Sequence, residues 1–288
     1  MFNTNTLGYK LISGQLKENR NHSEQLNKFL AGLIDSDGYI SADFCRNRLQ
    51  IQCGLLQSAS NDPDFIMLRS IKEYFSLGTL IYSNGDKDTH LSTCRWVMRT
   101  KDSKILFNRI GKHLRIKGTH FDNIVSIHDD IKDLVLTDNQ IEDLRAYLKC
   151  SRDNSRWLKQ PKHPSWSWLA GYLAGDGHFE FRQRIRGEKS NYNLRVSAVA
   201  NEKDIHVLHF IQKAFKGNVA RANLNPEKPN YNNYTWRRGL GKKHKMFSIS
   251  FLRKLSVYMC LYKKYYIINE MVSYLEQDAK TKQCVNAS

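Results

Sequence analysis

One string occurs twice, slightly altered, in this chain of 288 residues: LAGLIDSDGYI at 30–40 and LAGYLAGDGHF at 169–179, offset by 139 positions. A repeat at that spacing nearly halves the chain and implies two copies of one structural unit. The likeness continues downstream. LQIQCGLL at 49–56 resembles LRVSAVAN at 194–201, MLRSIKEYFSLGTL at 67–80 resembles VLHFIQKAFKGNVA at 207–220, and Trp96 matches Trp236. Length alone fits two modest domains or one large one, but any fold assigned to one half must also serve the other.

Leu26, Phe29, Leu30, Leu33 and Ile34 recur at helical spacing up to Gly38, which predicts a helix carrying the repeated string. Strands follow. Leu49, Ile51 and Cys53 alternate with Arg48, Gln50 and Gln52. In the second half Phe179 and Phe181 alternate with His178, Glu180 and Arg182, and Leu194, Val196 and Ala198 with Asn193, Arg195 and Ser197. Each such strand has an apolar face and a polar, cationic one, as in an antiparallel sheet covered by helices on one side. Further helices are expected at 64–76 and around 120–135. Each half then reads helix, strand pair, helix, strand pair, helix, an α+β unit. The expected organisation is an N-terminal extension at 1–25, a first half at 26–150, a linker at 151–165 stiffened by Pro161 and Pro164, a second half at 166–276 and a frayed tail at 277–288. The stretch from Asn223 to Asn233, with Pro226 and Pro229, reads as a loop joining strands.

Composition narrows the partner. Forty-five Lys and Arg against 28 Asp and Glu give a formal charge of +17, which favours a polyanion. The excess is lopsided: residues 1–150 hold 20 basic and 18 acidic side chains, residues 151–288 hold 25 and 10. Nucleic acid leads, ahead of a ribosomal or membrane-surface role. With 41% hydrophobic residues and only 5 Pro the chain can bury sizeable cores, which excludes a disordered or fibrous protein. Cys45, Cys53, Cys94, Cys150, Cys260 and Cys284 form no C-x-x-C pair and no zinc-finger spacing, so free thiols in a reducing compartment are expected. No stretch approaches the roughly 18 apolar residues of a membrane span. The first 25 residues match neither a secretory leader nor a transit peptide, so an intracellular protein without membrane contact is expected.

In both copies the helix ends in an acid followed by glycine, Asp37-Gly38 and Asp176-Gly177. The helix macrodipole favours cations at that end, so an acid there twice over needs a reason. Solvation is the bland one. A divalent cation neutralising the carboxylate is the chemical one, and hard oxygen ligands suit Mg²⁺. Small residues one turn apart, Gly32 with Ser36 and Gly171 with Gly175, allow two helix backbones to approach closely. If the two helices pack together, pseudo-two-fold symmetry brings Asp37 and Asp176 side by side as a paired-carboxylate metal site between the halves. Close carboxylates raise each other's pKa unless cations are shared. A metal centred on a basic two-fold surface is what phosphodiester hydrolysis needs, because it activates water, stabilises charge and orients an in-line displacement.

The two strings resemble the motifs of the LAGLIDADG homing endonucleases in their single-chain, two-motif form, over roughly residues 26–275. The resemblance implies two αββαββα halves with saddle-shaped antiparallel sheets and the motif helices at their interface. It implies a site-specific double-strand DNA endonuclease that cuts across the minor groove and leaves four-nucleotide 3′ overhangs at a long target site. By the same resemblance Asp37 and Asp176 coordinate Mg²⁺, two or three ions shared between two sites with Mn²⁺ able to substitute, helped by the carbonyls of Ser36 and Gly175. A polar residue at the end of the second strand orders water in the family; the repeat alignment offers Gln57 and Glu202, each equally readable as a surface or capping residue. A lysine before the last helix aids charge stabilisation there. Lys117 fits, and Lys263 is taken as its partner, next to Lys264 and to Tyr262 of the direct alignment. Asp35 has Ala174 as its counterpart and is assigned a structural or solvated role, so the two active sites need not be equivalent.

Counting by twos from the acids gives the strand face that leaves the core. In the first half it holds Tyr39, Ser41 and Asp43, then Arg48, Gln50 and Gln52. In the second it holds His178, Glu180, Arg182, Arg184 and Arg186, then Asn193, Arg195 and Ser197. Arg suits guanine, Gln and Asn suit adenine, and acids accept from cytosine. Lys242, Lys243 and Lys245 suit phosphates. The expected partner is a double-stranded DNA target bound by a monomer. Host intron RNA is the alternative partner, for a splicing cofactor (maturase) with or without endonuclease activity. A regulator that has lost cleavage is disfavoured by the presence of both acids. An intein is disfavoured by the absence of a nucleophile at Met1 and of a His-Asn ending before Ser288. The Asn-, Lys- and Tyr-rich composition points to an AT-rich organellar genome, mitochondrial or chloroplast.

Overall fold

A computed structural model describes residues 3–18, 20–84, 92–154, 164–186, 189–222, 233–240 and 245–286. After a short helix α1 (Leu7–Ile12), the first half runs α2 (Arg20–Asp37), β1 (Gly38–Cys45), β2 (Arg48–Ser58), α3 (Ile66–Phe75), β3 (Thr79–Ser83), β4 (Thr93–Arg99), α4 (Thr100–Ile110), α5 (Gly118–Ile131) and α6 (Asp138–Asn154). The second half runs α7 (Trp166–Gly175), β5 (Gly177–Arg186), β6 (Lys189–Asn201), α8 (Ile205–Phe215), β7 (Asn218–Arg221), β8 (Asn233–Gly239), α9 (Lys245–Tyr258) and α10 (Tyr262–Asn286).

Each half holds one four-stranded antiparallel sheet, in the orders β1-β2-β4-β3 and β5-β6-β8-β7. Their registers coincide. Gly38 lies opposite Leu55 and Leu55 opposite Trp96; Gly177 lies opposite Ala198 and Ala198 opposite Trp236. The two tryptophans are fully buried, and their indole N–H groups donate to the carbonyls of Leu77 (2.9 Å) and Lys216 (2.7 Å), which ties each sheet to the turn after its covering helix. The expected α+β duplication is what the chain forms.

Several elements differ from the sequence expectations, α1, α6 and α9 being additional helices. The first motif helix begins at Arg20, inside the expected extension, with a polar turn and a half ahead of Leu26, its first buried side chain. A helix at 100–110 stands between the second strand pair and α5, and it buries Leu106, Phe107 and Ile110 against the sheet. The last helix continues to Asn286 through the stretch expected to fray. Of the expected linker, α6 occupies 151–154 and residues 155–163 lie outside the described residues, as do 223–232 of the proline-containing loop. Among the described residues no helix is long and apolar enough to cross a membrane, and Cys45, Cys53, Cys94, Cys150 and Cys260 are free thiols.

The halves meet along α2 and α7. A Cβ on Gly32 would overlap the Trp168 carbonyl oxygen and stand 2.8 Å from the Tyr172 nitrogen. One on Gly171 would overlap the Phe29 carbonyl oxygen and stand 2.9 Å from the Leu33 nitrogen. The two backbones are therefore in contact with no side chain between them. Leu30, Leu33, Ile34, Leu169 and Leu173 are fully buried around that contact. Gly38 and Gly177 then let the chain leave each helix directly into a strand, since a Cβ at either would stand 2.6 Å from the Cα of Ile34 or Leu173.

Gly32→Ala and Gly171→Ala are each expected to lower the thermal midpoint by the cost of overpacking, on the order of 1–3 kcal/mol or more. Gly111→Ala, where an added Cβ meets nothing within 4 Å, is expected to leave it unchanged or raise it. Equal midpoints for all three variants would refute the backbone contact.

Candidate active site

The approach of α2 to α7 delivers the two acids. A Cβ on Gly175 would overlap the Ser36 hydroxyl and stand 2.8 Å from Cγ of Asp37, so Asp37 lies against the end of the helix that carries Asp176. Both acids are exposed as residues, yet protein crowds their carboxylates. Desolvation, then repulsion from Asp37, pushes Asp176 up to about 6 against the opposing pull of Lys117 and Lys264. Asp37 is raised too, by desolvation, with Lys264, a hydrogen bond from Gln57 and Lys117 acting the other way.

A cation does stand at each helix end, and it is a lysine. Lys117 Nζ donates to the carbonyls of Ile34 (2.6 Å), Ser36 (3.1 Å) and Gly38 (2.5 Å). Lys264 Nζ donates to those of Leu173 (2.8 Å), Ala174 (2.6 Å) and Gly175 (2.9 Å). Each ammonium satisfies the last carbonyls of its helix and complements the dipole. Burial lowers both lysine pKa values, that of Lys264 to about 8, while Asp37 and Asp176 favour its charged form. The carbonyls of Ser36 and Gly175 that the sequence offered to a metal thus each already accept from a lysine.

Lys263 is corrected to Lys264. Lys264 sits on the stripe of α10 that continues through buried Tyr265, Ile268 and Met271, whereas Lys263 is exposed on another face. That periodicity was the signal available in the sequence. Lys117 is where it was expected, at the start of α5.

Asp35 is what holds Lys117 in place. It is 3% exposed and accepts from the backbone N–H groups of Arg115 (2.7 Å), Ile116 (3.0 Å) and Lys117 (3.1 Å). The indole of Trp168 adds a fourth bond at 3.0 Å, crossing from one half to the other. Burial raises the Asp35 pKa and those backbone bonds oppose it. Asp35 is structural, as expected, and not solvated.

Gln57 is 3% exposed and donates from Nε2 to Asp37 Oδ2 at 3.2 Å. Glu202 is not its counterpart. The register that pairs Gln57 with Cys94 pairs Ala200 with Tyr234, so the equivalent residue is an alanine, and Glu202 lies exposed in the turn 202–204. The acid of that turn that reaches the site is Asp204, which repels Asp176 and favours the Lys117 cation. The buried Tyr172 hydroxyl hydrogen-bonds Asp176. Neither Asp204 nor Tyr172 was singled out by the sequence: Tyr172 has Leu33 as its counterpart, and Asp204, which aligns with Asp64, lies in a turn that no pattern in the sequence places beside the motif helix.

The outward strand faces follow the expected alternation. Tyr39, Ser41, Asp43, Arg48, Gln50 and Gln52 share one side of the first sheet, and register adds the exposed Arg95 opposite Leu56 and Arg99 opposite Gln52. In the second sheet His178 and Arg182 are exposed, and Arg237 joins them opposite Ser197. Glu180 and Ser197 lie on that side but are only 7% and 5% exposed. Glu180 is covered by an ion pair with Arg195 and a 2.7 Å bond from Asn193, so these three fix one another before any ligand arrives. Arg184 and Arg186 are in β5, with their side chains outside the described residues, where Lys242 and Lys243 also lie. Lys245, expected on phosphate, is paired with Asp278.

No family model matches the sequence, and no curated protein does. The fold, however, has close counterparts among solved structures. The LAGLIDADG homing endonuclease I-GzeII in complex with its DNA target matches with a TM-score of 0.66 at 16% identity, over 88% of this chain and 91% of that one. I-SmaMI bound to cleaved DNA matches at 0.65 and 14%, over 89% and 90%. The meganuclease I-AabMI bound to uncleaved DNA matches at 0.62 and 18%, over 88% and 92%. The chain has the two-fold architecture of these single-chain proteins.

Two outcomes follow from the carboxylates. Asp35→Ala orphans four donors and is expected to cost on the order of 3 kcal/mol or more in chemical denaturation; a loss under about 1 kcal/mol would contradict the anchoring role. Asp176→Asn goes the other way. A carboxylate raised to about 6 destabilises the folded state only where it is ionised there. The penalty is absent below the unfolded value near about 4 and complete above about 6. The variant is therefore expected to melt higher than the parent at pH 7 and alike at pH 4. A gain independent of pH would refute the repulsion.

Proposed function

We propose that this chain, which has the fold of the LAGLIDADG homing endonucleases, is a site-specific double-strand DNA endonuclease acting as a monomer with Mg²⁺. The observation that carries the reading is the pair of desolvated, mutually repelling carboxylates where α2 meets α7, each beside a half-buried lysine and between two sheets with cationic outer faces. The solved structures similar in fold hold DNA, which suits those faces.

The residues fit a divalent cation. Asp37 and Asp176 offer hard oxygen donors whose pKa values are raised chiefly by burial, with repulsion from Asp37 adding to the rise at Asp176. Among the described residues no three His, Cys, Asp or Glu side chains form a metal cluster, so the remaining ligands would be carbonyl oxygens, water and phosphate. A bound Mg²⁺ supplies Lewis acidity and a nucleophilic water for in-line displacement of the 3′-oxygen. The rest of the work belongs to the chain. Gln57 turns the Asp37 carboxylate through its amide. Lys117 and Lys264 hold the helix ends rigid and keep positive charge beside the reacting phosphate. Arg48, Gln50, Gln52, Arg95 and Arg99, with His178, Arg182 and Arg237, read base edges or touch phosphates. Cutting across the minor groove to leave four-nucleotide 3′ overhangs belongs to this reading, as does an organellar setting.

Asp37→Asn and Asp176→Asn are each expected to abolish double-strand cleavage while changing DNA affinity by no more than a few-fold. The assay is digestion of a plasmid library of randomised and insertion-site DNA with Mg²⁺ or with EDTA, with sequencing of the ends. Cutting retained by both variants would overturn the metal assignment. Binding without cleavage by the parent protein would move the function to an RNA splicing cofactor. Activity is expected to fall as pH drops through about 6, where Asp176 protonates.

A further inference from the structure

On the second half, β8 turns Arg237 to the outer face of the sheet and Arg238 to the side covered by helices. Arg238 is 9% exposed and its side chain lines a cavity of about 160 Å³. The guanidinium stands 4.5 Å from the ring centre of Phe251 and 5.2 Å from that of Phe247, and donates to the carbonyl of Phe215. Its Nε is buried without a partner, and among the described residues no acid lines the cavity. A buried cation without a counter-charge is costly.

The duplication supplies a control. Phe179 pairs with Val196 and Val196 with Arg238, as Ile40 pairs with Cys53 and Cys53 with Met98. The first half fills the equivalent place with buried Met98, so the fold has no need of a charge there. The remaining walls are aromatic and basic. Trp166 meets Phe215 and Phe251 edge-on at 4.7 and 5.4 Å, and Lys254 stands 5.8 Å over its ring. Lys216 lines the cavity from a backbone conformation (φ 61°, ψ −171°) that is strained for a residue with a Cβ. Phe247 is 64% exposed at the mouth.

We propose that this cavity binds one unstacked nucleotide of a single-stranded nucleic acid. Roughly 150 Å³ admits one benzene-sized ring, and aromatic walls with cations at their edge suit a base flanked by phosphates. The base stacks among Phe247, Phe251 and Trp166, and Arg238, Lys216 and Lys254 take the phosphates. The cavity is lined by Arg238 and by helix residues on the side of the sheet opposite the face proposed to read duplex DNA, so it would serve a separate strand, and it stands independently of the endonuclease reading.

The test measures anisotropy of a short labelled oligouridylate with the full chain, in saturating random-sequence duplex DNA. Binding is expected to persist under duplex and to weaken at least tenfold in Arg238→Met, the residue found in the other half, and in the exposed-site variants Lys254→Gln and Phe247→Ala. Arg238→Met is also expected to melt no lower than the parent. Complete displacement by duplex, or unchanged affinity in Lys254→Gln and Phe247→Ala, would overturn the proposal. Free uridine monophosphate binding as tightly as the oligomer would also overturn it, in favour of a free-nucleotide site. Because plasmid cleavage is scored separately, failure here leaves the endonuclease reading standing, and the converse holds too.

Discussion

Everything in this molecule depends on two helices touching backbone to backbone. At Gly32 and Gly171 there is no room for a single carbon between α2 and α7, and that lack of spacing sets where the helix ends fall. Two acids then face each other at a place where both the dipoles and their own charges disfavour them. The arrangement survives because Lys117 and Lys264 each donate to three carbonyls at a helix end. Those bonds engage the groups a helix leaves unpaired and place positive charge within reach of both carboxylates. Structural capping and the electrostatics of the site are therefore the same set of contacts.

Most of the fold was legible because period and repetition agree. The apolar stripe before Gly38, the alternation around Leu49 and Leu194, and the repeated string all point to one unit used twice, and the registers bear that out. The errors share a cause. Matching LQIQCGLL to LRVSAVAN places Leu56 against Asn201, while the strand register places Leu55 against Ala198, a slip of two. A slip of two preserves which side chains face outward, so the outer faces were read correctly while Gln57 was paired with Glu202 instead of Ala200. Lys263 was a comparable slip on a helix, where one position moves a side chain by about 100°. Burial was harder to read: no pattern in the sequence tells that Glu180 lies under Arg195 and Asn193, because that depends on pairing across strands.

The two halves share a frame and differ in how they finish it. The first anchors its lysine through a loop bound to Asp35; the second builds its lysine into the opening turn of α10. The first places a glutamine beside its acid; the second offers Asp204 and the Tyr172 hydroxyl. Tyr172, whose counterpart is Leu33, is the kind of residue a search for repetition passes over.

The Asp35–Trp168 bond has a consequence for how such a chain could be taken apart. Trp168 aligns with Phe29, and Asp35 with Ala174. Two copies of the first half brought together would each bury Asp35 against a phenylalanine that has no proton to give. Two copies of the second would present two indoles with no carboxylate to receive them. Neither half is self-complementary, so the single chain is locked into heterotypic pairing by one buried proton donor and its acceptor.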